Sequence, residues 1–202
     1  MKKILFISSM LMASLSANMS SLLIIPRDAV VAIGIYGGSS TVLSGIEVDS
    51  TDITLDGKAY DIDKTEAFFG GYLGLQNSHY RFSISYDVNN NSDLRLERLL
   101  INFDYKIGAK DAFRPMIGFG VGASNSSYII DGRDISQDKG VIALRGGTEY
   151  FINDHHSVEF LLEYAYMLDS GSGDAFYDDE FTTYDIKDQS NIILRIGYTF
   201  AF

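Results

Sequence analysis

The 202-residue chain contains no cysteine and no tryptophan, two prolines and three histidines. Without cysteine it forms no disulfide, and a lipoprotein anchor, which needs a cysteine at the cleavage site, is excluded. After the first twenty residues no run of 18 consecutive apolar residues occurs, which excludes a transmembrane helix there. A membrane β-barrel stays open, because alternating strands average to a near-neutral mean hydropathy, here +0.04. Basic residues are also in short supply, 16 Lys and Arg against 27 Asp and Glu, for a formal charge of −11. Such a chain does not bind nucleic acid through its phosphates and carries no polybasic membrane patch. Abundant instead are Tyr (13), Phe (13) and Gly (19), a mixture that favours strands over helices.

The amino end, MKKILFISSMLMASLSA, has a basic start at Lys2 and Lys3, an apolar stretch from Ile4 to Leu15 and a small-residue end at Ser16 and Ala17. That is the layout of a secretory signal peptide over residues 1–17. Its removal takes Lys2 and Lys3 away and the charge from −11 to −13. A short periplasmic segment over 18–28 and a barrel over 29–202 are expected to follow.

Eight stretches then alternate with a period of two. In HYRFSISYDV, Tyr80, Phe82, Ile84, Tyr86 and Val88 share one face, with Arg81, Ser83, Ser85 and Asp87 on the other. In RLLINFDYKI, Leu99, Ile101, Phe103, Tyr105 and Ile107 alternate with Arg98, Leu100, Asn102, Asp104 and Lys106. The same pattern recurs around Val31–Tyr36, Phe69–Leu75, Ile117–Ser124, Ile142–Ile152, Val158–Tyr166 and Asn191–Phe202. Between these stretches long segments (Ser39–Glu66, a shorter Asn89–Asp93, Asn125–Lys139, and SGSGDAFYDDEFTTYDIKDQ) alternate with the tight turns QNS, GAKDA and NDHH. Even strand number and alternating connection length predict an all-β fold, an eight-stranded antiparallel up-and-down transmembrane β-barrel, with outside loops and periplasmic turns.

A soluble lipocalin-like barrel also alternates, but its outward face is polar throughout. Here the non-apolar face carries Gly, Ser and Ala with charges of both signs: Arg81, Asp104, Lys106, Arg145, Glu149, Glu159, Glu163 and Arg195. These suit a narrow interior in which opposite charges satisfy one another, and eight strands enclose a space that side chains fill. A plugged lumen rather than an open pore is expected.

Taken together, the signal peptide, the eight strands and the terminal RIGYTFAF resemble the small outer-membrane β-barrel family of Gram-negative bacteria, of the OmpA/OmpX barrel type. RPMIGFGVGAS is similar to that family's Pro-aromatic-x-Gly-x-Gly-x-Gly strand, with Met116 in the aromatic place, and ALRGGTEYFINDHHSVEFLLEYAY resembles its penultimate hairpin. The resemblance covers Ala29 to Phe202 and implies an outer-membrane location, contact with lipid and lipopolysaccharide, and no cofactor. It also implies that the terminal aromatics Tyr198, Phe200 and Phe202 are read by the barrel-assembly machinery. OmpA's peptidoglycan-binding domain has no counterpart in the chain, and Tyr and Phe take the interfacial place of tryptophan.

Chemistry is sparse. DHHS offers Asp154, His155, His156 and Ser157 together, the residue types of an activated nucleophile, but they fall in a periplasmic turn and read as solvated. Glu159 and Glu163, four apart on one strand face, lie about 13 Å apart at ~3.3 Å per residue, too far for acid–base cooperation. The expectation is a monomer without enzymatic activity and without nucleic-acid partners, in a structural, adhesive or envelope role. A lipid A-modifying enzyme or a narrow pore is the alternative. The outside loops are acidic: Ser39–Glu66 sums to −5 and Asp169–Gln189 to −6. Within the latter, Asp174, Phe176, Tyr177, Asp178, Asp179, Glu180, Phe181 and Tyr184 form a candidate contact surface for an unidentified extracellular ligand.

Overall fold

The computed structural model describes residues 28–50, 59–90, 94–108, 112–130, 133–168, 173–177 and 180–202. The proposed signal peptide lies outside them. The described residues form nine antiparallel strands and no helix: β1 (Val30–Ser50), β2 (Ala59–Gln76), β3 (Tyr80–Asn90), β4 (Leu94–Lys106), β5 (Phe113–Ile130), β6 (Arg133–Phe151), β7 (His156–Leu168), β8 (Gly173–Tyr177) and β9 (Glu180–Ala201). Each barrel strand pairs with its chain neighbour, and β9 pairs with both β7 and β1, so eight strands close on themselves. The short β8 pairs with β9 alone, on the β9 edge that β7 takes further along the strand.

The pairing registers fix the geometry of the cylinder. Partners followed once around from Val31 are Leu75, Phe82, Phe103, Phe119, Leu144, Tyr164 and Ile192. The circuit re-enters β1 at Thr41, ten residues further on. With eight strands this stagger tilts them by about 40° to the barrel axis, given ~3.3 Å rise and ~4.8 Å between strands. At that tilt about ten residues cross an apolar layer of ~25 Å.

Side chains divide as the alternation requires. Ile35, Phe69, Phe103, Ile117, Leu144, Phe160 and Ile196 point outward and are exposed, whereas Arg81, Asp104, Lys106, Glu149 and Glu159 point inward and are buried. This is the inverse of a soluble barrel: the apolar belt surrounds the molecule and the charges are its core. Phe68, Leu96, Leu100, Leu161, Met167 and Ile193 are among the bulky apolar side chains that also lie inside.

The strands run well past the belt. With 21 and 22 residues, β1 and β9 are twice the length needed to cross. Much of what alternation assigned to loops is therefore strand: within Ser39–Glu66 β1 runs on to Ser50 and β2 begins at Ala59, and within Asn125–Lys139 β5 runs on to Ile130 and β6 begins at Arg133. The last long segment folds back as the β8–β9 hairpin, with Phe176 opposite Phe181 and Tyr177 opposite Glu180. Beyond the apolar layer no rule demands apolar residues on one face, so the period-two signal fades while backbone pairing persists. Opposite Ser44, where Leu43 pairs with Ser190 and Gly45 with Lys187, β9 carries a bulge. Glu66, counted above with the loop acids, is inward and buried.

Two glycines make room for the largest rings in the lumen. On the inner face of β1 and β2, Gly34 pairs with Tyr72 and Tyr36 with Gly70, so each ring lies over the opposite glycine. A Cβ on Gly70 would stand 2.5 Å from Tyr36 Cε2 and 2.7 Å from Asp87 Cβ. Gly70→Val is therefore expected to destabilise the folded barrel by about 2 kcal/mol through overpacking, read as a lower urea midpoint in lipid vesicles. A neighbouring outward change, Leu73→Val, should leave the midpoint nearly unmoved.

Candidate functional site: the charged lumen

Every strand of the barrel sends alternate side chains into one narrow column. At the short-turn end Lys106 Nζ lies 2.7 Å from Glu149 Oε2 and donates to Gln76 Oε1 at 2.8 Å. Ser157 Oγ donates to the other carboxylate oxygen of Glu149 at 2.6 Å. Above this pair runs a chain of eight charges of alternating sign. Arg195 Nη2 meets Glu159 Oε1 at 3.3 Å, and Glu159 Oε2 accepts from Arg81 Nη1 at 2.6 Å. Arg81 Nε donates to Asp104 Oδ2 at 2.9 Å. Asp104 also accepts from Arg145 Nε and Nη2, at 2.6 and 2.5 Å. Arg145 Nη1 lies 4.0 Å from Glu163, which accepts from Arg98 Nη1 at 2.9 Å. Arg98 finally grips Asp87 with two parallel bonds of 2.8 and 3.0 Å.

The links run around and across the barrel. Arg81–Asp104 and Asp87–Arg98 join directly opposed residues of β3 and β4, whereas Arg81–Glu159 joins β3 to β7, on opposite sides of the cylinder. Charges removed from water destabilise unless each donor and acceptor is matched. Arg81 shows the matching: besides its two carboxylates it donates to Tyr72 OH at 2.8 Å and contacts Met116 Sδ at 3.7 Å. Tyr72 OH in turn lies 2.5 Å from Thr199 Oγ1. Arg195 stacks over the Tyr36 ring at 4.4 Å, and Tyr36 OH donates to Asp87 at 3.3 Å. Among the described residues six acids (Glu66, Asp87, Asp104, Glu149, Glu159, Glu163) and six bases (Arg81, Arg98, Lys106, Lys139, Arg145, Arg195) are buried, so the formal charges of this set cancel.

All eight charged residues singled out by sequence thus lie in the lumen and pair among themselves and with neighbours. Asp87 and Arg98 complete the chain, and alternation places both on the inward face. Gln76, Tyr36 and Tyr72 carry no charge to single them out. The turn histidines are engaged rather than simply solvated: His155 Nδ1 lies 2.9 Å from Ala201 O, and His156 Nδ1 bonds Tyr198 OH. No cluster of metal-ligating side chains occurs among the described residues.

The loop-contact candidates Asp174, Phe176, Tyr177, Glu180, Phe181 and Tyr184 fall on the β8–β9 hairpin. Asp178 and Asp179 lie outside the described residues. Tyr184 stands opposite Gly173 on one side and Val48 of β1 on the other. Tyr198 and Phe202 are exposed on the outer face, and the Phe202 amide donates to Val31 O at 2.9 Å.

The charged chain makes a quantitative prediction. Arg81→Met leaves Glu159 and part of Asp104 uncompensated and is expected to cost about 3–5 kcal/mol, measured by urea unfolding in vesicles. The double change Arg81→Met with Glu159→Met should recover more than half of that loss. Additive losses would contradict direct pairing across the lumen.

No family model matches the chain, and no curated protein matches it by sequence. Solved structures do match its fold. The neisserial surface protein NspA superposes with a TM-score of 0.59 at 14% identity, over 85% of this chain and 99% of that one. The outer membrane protein AlkL gives 0.55 at 15% identity, covering 86% and 90%. The N-terminal β-barrel domain of Pseudomonas aeruginosa OprF gives 0.52 at 16%, covering 86% and 98%. The chain has the closed, antiparallel eight-stranded β-barrel fold of small outer-membrane proteins.

Proposed function

We propose that this is an integral protein of the bacterial outer membrane, exported by its amino-terminal signal, whose lumen is sealed and whose work is done by the hairpins that project from one end. Three features support the reading. The exposed apolar belt needs a hydrocarbon solvent, since a monomer in water does not expose a patch that large. The fold neighbours NspA, AlkL and OprF include proteins of the outer membrane. Among the described residues the lumen is filled by ion-paired side chains, and this observation carries the functional conclusion: a solute would have to break buried ion pairs to pass.

The long hairpins then face outside and the Asn77 and Asn153 turns face the periplasm. Lipid and lipopolysaccharide surround the belt, and the terminal Tyr198, Phe200 and Phe202 serve as the signal for the barrel-assembly machinery. The role is non-enzymatic: a structural or adhesive surface contact made by the acidic β1–β2 and β8–β9 extensions. In the lumen each carboxylate of the eight-charge chain already faces a guanidinium, which leaves none poised as a base.

Wild type and a deletion of Asp174–Asp185 test both halves of the proposal. Both should stay in the membrane pellet after carbonate washing and show no single-channel steps in planar bilayers, while only the wild type supports attachment to host cells or matrix. Discrete conductance steps would overturn the sealed lumen, and undiminished attachment by the deletion would overturn the role of the hairpin.

A further inference from the structure

The last residues of the chain are held by a device that the function above does not use. At the β6–β7 turn Asn153 Oδ1 accepts from the backbone amides of His155 and His156, at 2.9 and 3.0 Å, which fixes the two histidines side by side. His155 then takes hold of Ala201 at two points: its carbonyl accepts from the Ala201 amide at 2.8 Å, and its Nδ1 lies 2.9 Å from the Ala201 carbonyl. His156 stands directly opposite Phe200 in the β7–β9 ladder. Its ring packs 5.0 Å from Phe200 and 5.8 Å from Tyr198, and its Nδ1 bonds the Tyr198 hydroxyl. Phe200 in turn meets Phe202 edge to face at 4.7 Å.

The β2–β3 turn provides an internal comparison. It uses the same asparagine device, Asn77 Oδ1 accepting from His79 and Tyr80 amides, yet His79 Nδ1 bonds only Ser78 next to it. Reach to the C-terminal strand is therefore a property of the His155–His156 pair and not of the turn type. A strand end ordinarily frays; here Phe200 and Ala201 gain side-chain contacts from the β6–β7 turn, and Phe202 is bonded to Val31 of β1.

We infer that His155 and His156 form a clasp that captures Tyr198, Phe200 and Ala201 when the barrel closes, so that the aromatic motif passes from whatever reads it during assembly into the protein's own turn. The capture rests on the geometry alone; its place at the end of assembly rests on the reading of Tyr198, Phe200 and Phe202 as the assembly signal. Both histidines are positioning residues. His155 fixes the penultimate backbone, and His156 gives the two aromatic rings a partner on the outer face.

Hydrogen–deuterium exchange on the folded protein in lipid vesicles tests the clasp. His155→Ala with His156→Ala should speed exchange of the peptide covering residues 192–202 by about tenfold, leaving the β3 peptide unchanged. His79→Ala should alter neither peptide. His156→Phe, which keeps the ring contact, should restore part of the protection, a response that a general loss of stability would not give. Unchanged exchange in the double variant would overturn the clasp, as would equal acceleration in both peptides. Pulse-labelled assembly tests the second step: the double variant should reach the machinery at the normal rate and leave it several-fold more slowly, and normal release would overturn the hand-over. If Phe202→Asp assembles normally, the signal reading fails while the exchange result still judges the clasp.

Discussion

Everything in this barrel depends on the pairing of β1 with β9. A strand that ends a sheet presents a row of unpaired amides and carbonyls, which hydrocarbon cannot satisfy. Closing β1 on β9 removes both edges at once, over partners from Ala32–Ala201 to Ser50–Thr182. It also fixes the ten-residue stagger, and with it the strand tilt, the width of the lumen and the height at which each inward side chain arrives. Arg81 meets Glu159 from the opposite wall only because the stagger brings β3 and β7 residues of quite different sequence position to one level.

The lumen follows from that width. Buried charged and polar side chains fill it among the described residues, so its stability comes from ion pairing and mutual hydrogen bonding. Among the described residues six acids and six bases are buried, and their formal charges cancel. Such a core is intolerant of single deletions, because the removal of one charge strands its partner. Glycine supports the same arrangement: Gly34 and Gly70 give up their side chains so that Tyr72 and Tyr36 can reach Arg81 and Asp87.

Sequence carried much of this and missed the rest for physical reasons. The period of two told inward from outward in HYRFSISYDV and RLLINFDYKI, because lipid outside and charge inside impose opposite demands on successive residues. Past the belt that demand ends, so the outer parts of β1, β2, β5, β6 and β9 looked like loops although their backbones pair. The inward positions of Arg81, Asp104, Arg145 and Glu159 could be read, but not which carboxylate meets which guanidinium, since that depends on closure and stagger. Asp87 and Arg98 share that inward face, but alternation alone does not tell which inward charges meet. His155 and His156 looked like a solvated turn because their partners, Tyr198 and Ala201, lie more than forty residues away.

The ion-paired interior depends on the closing register. Nuclear magnetic resonance of the folded protein in lipid should give backbone contacts between Ile33 and Phe200, Ile35 and Tyr198, and Gly37 and Ile196, the pairs of the present seam. Those contacts would establish the ten-residue stagger, and with it the meeting of Arg81 and Glu159 across the lumen. Contacts shifted by two residues, or none between β1 and β9, would contradict the closed barrel and the ion-paired interior that depends on it.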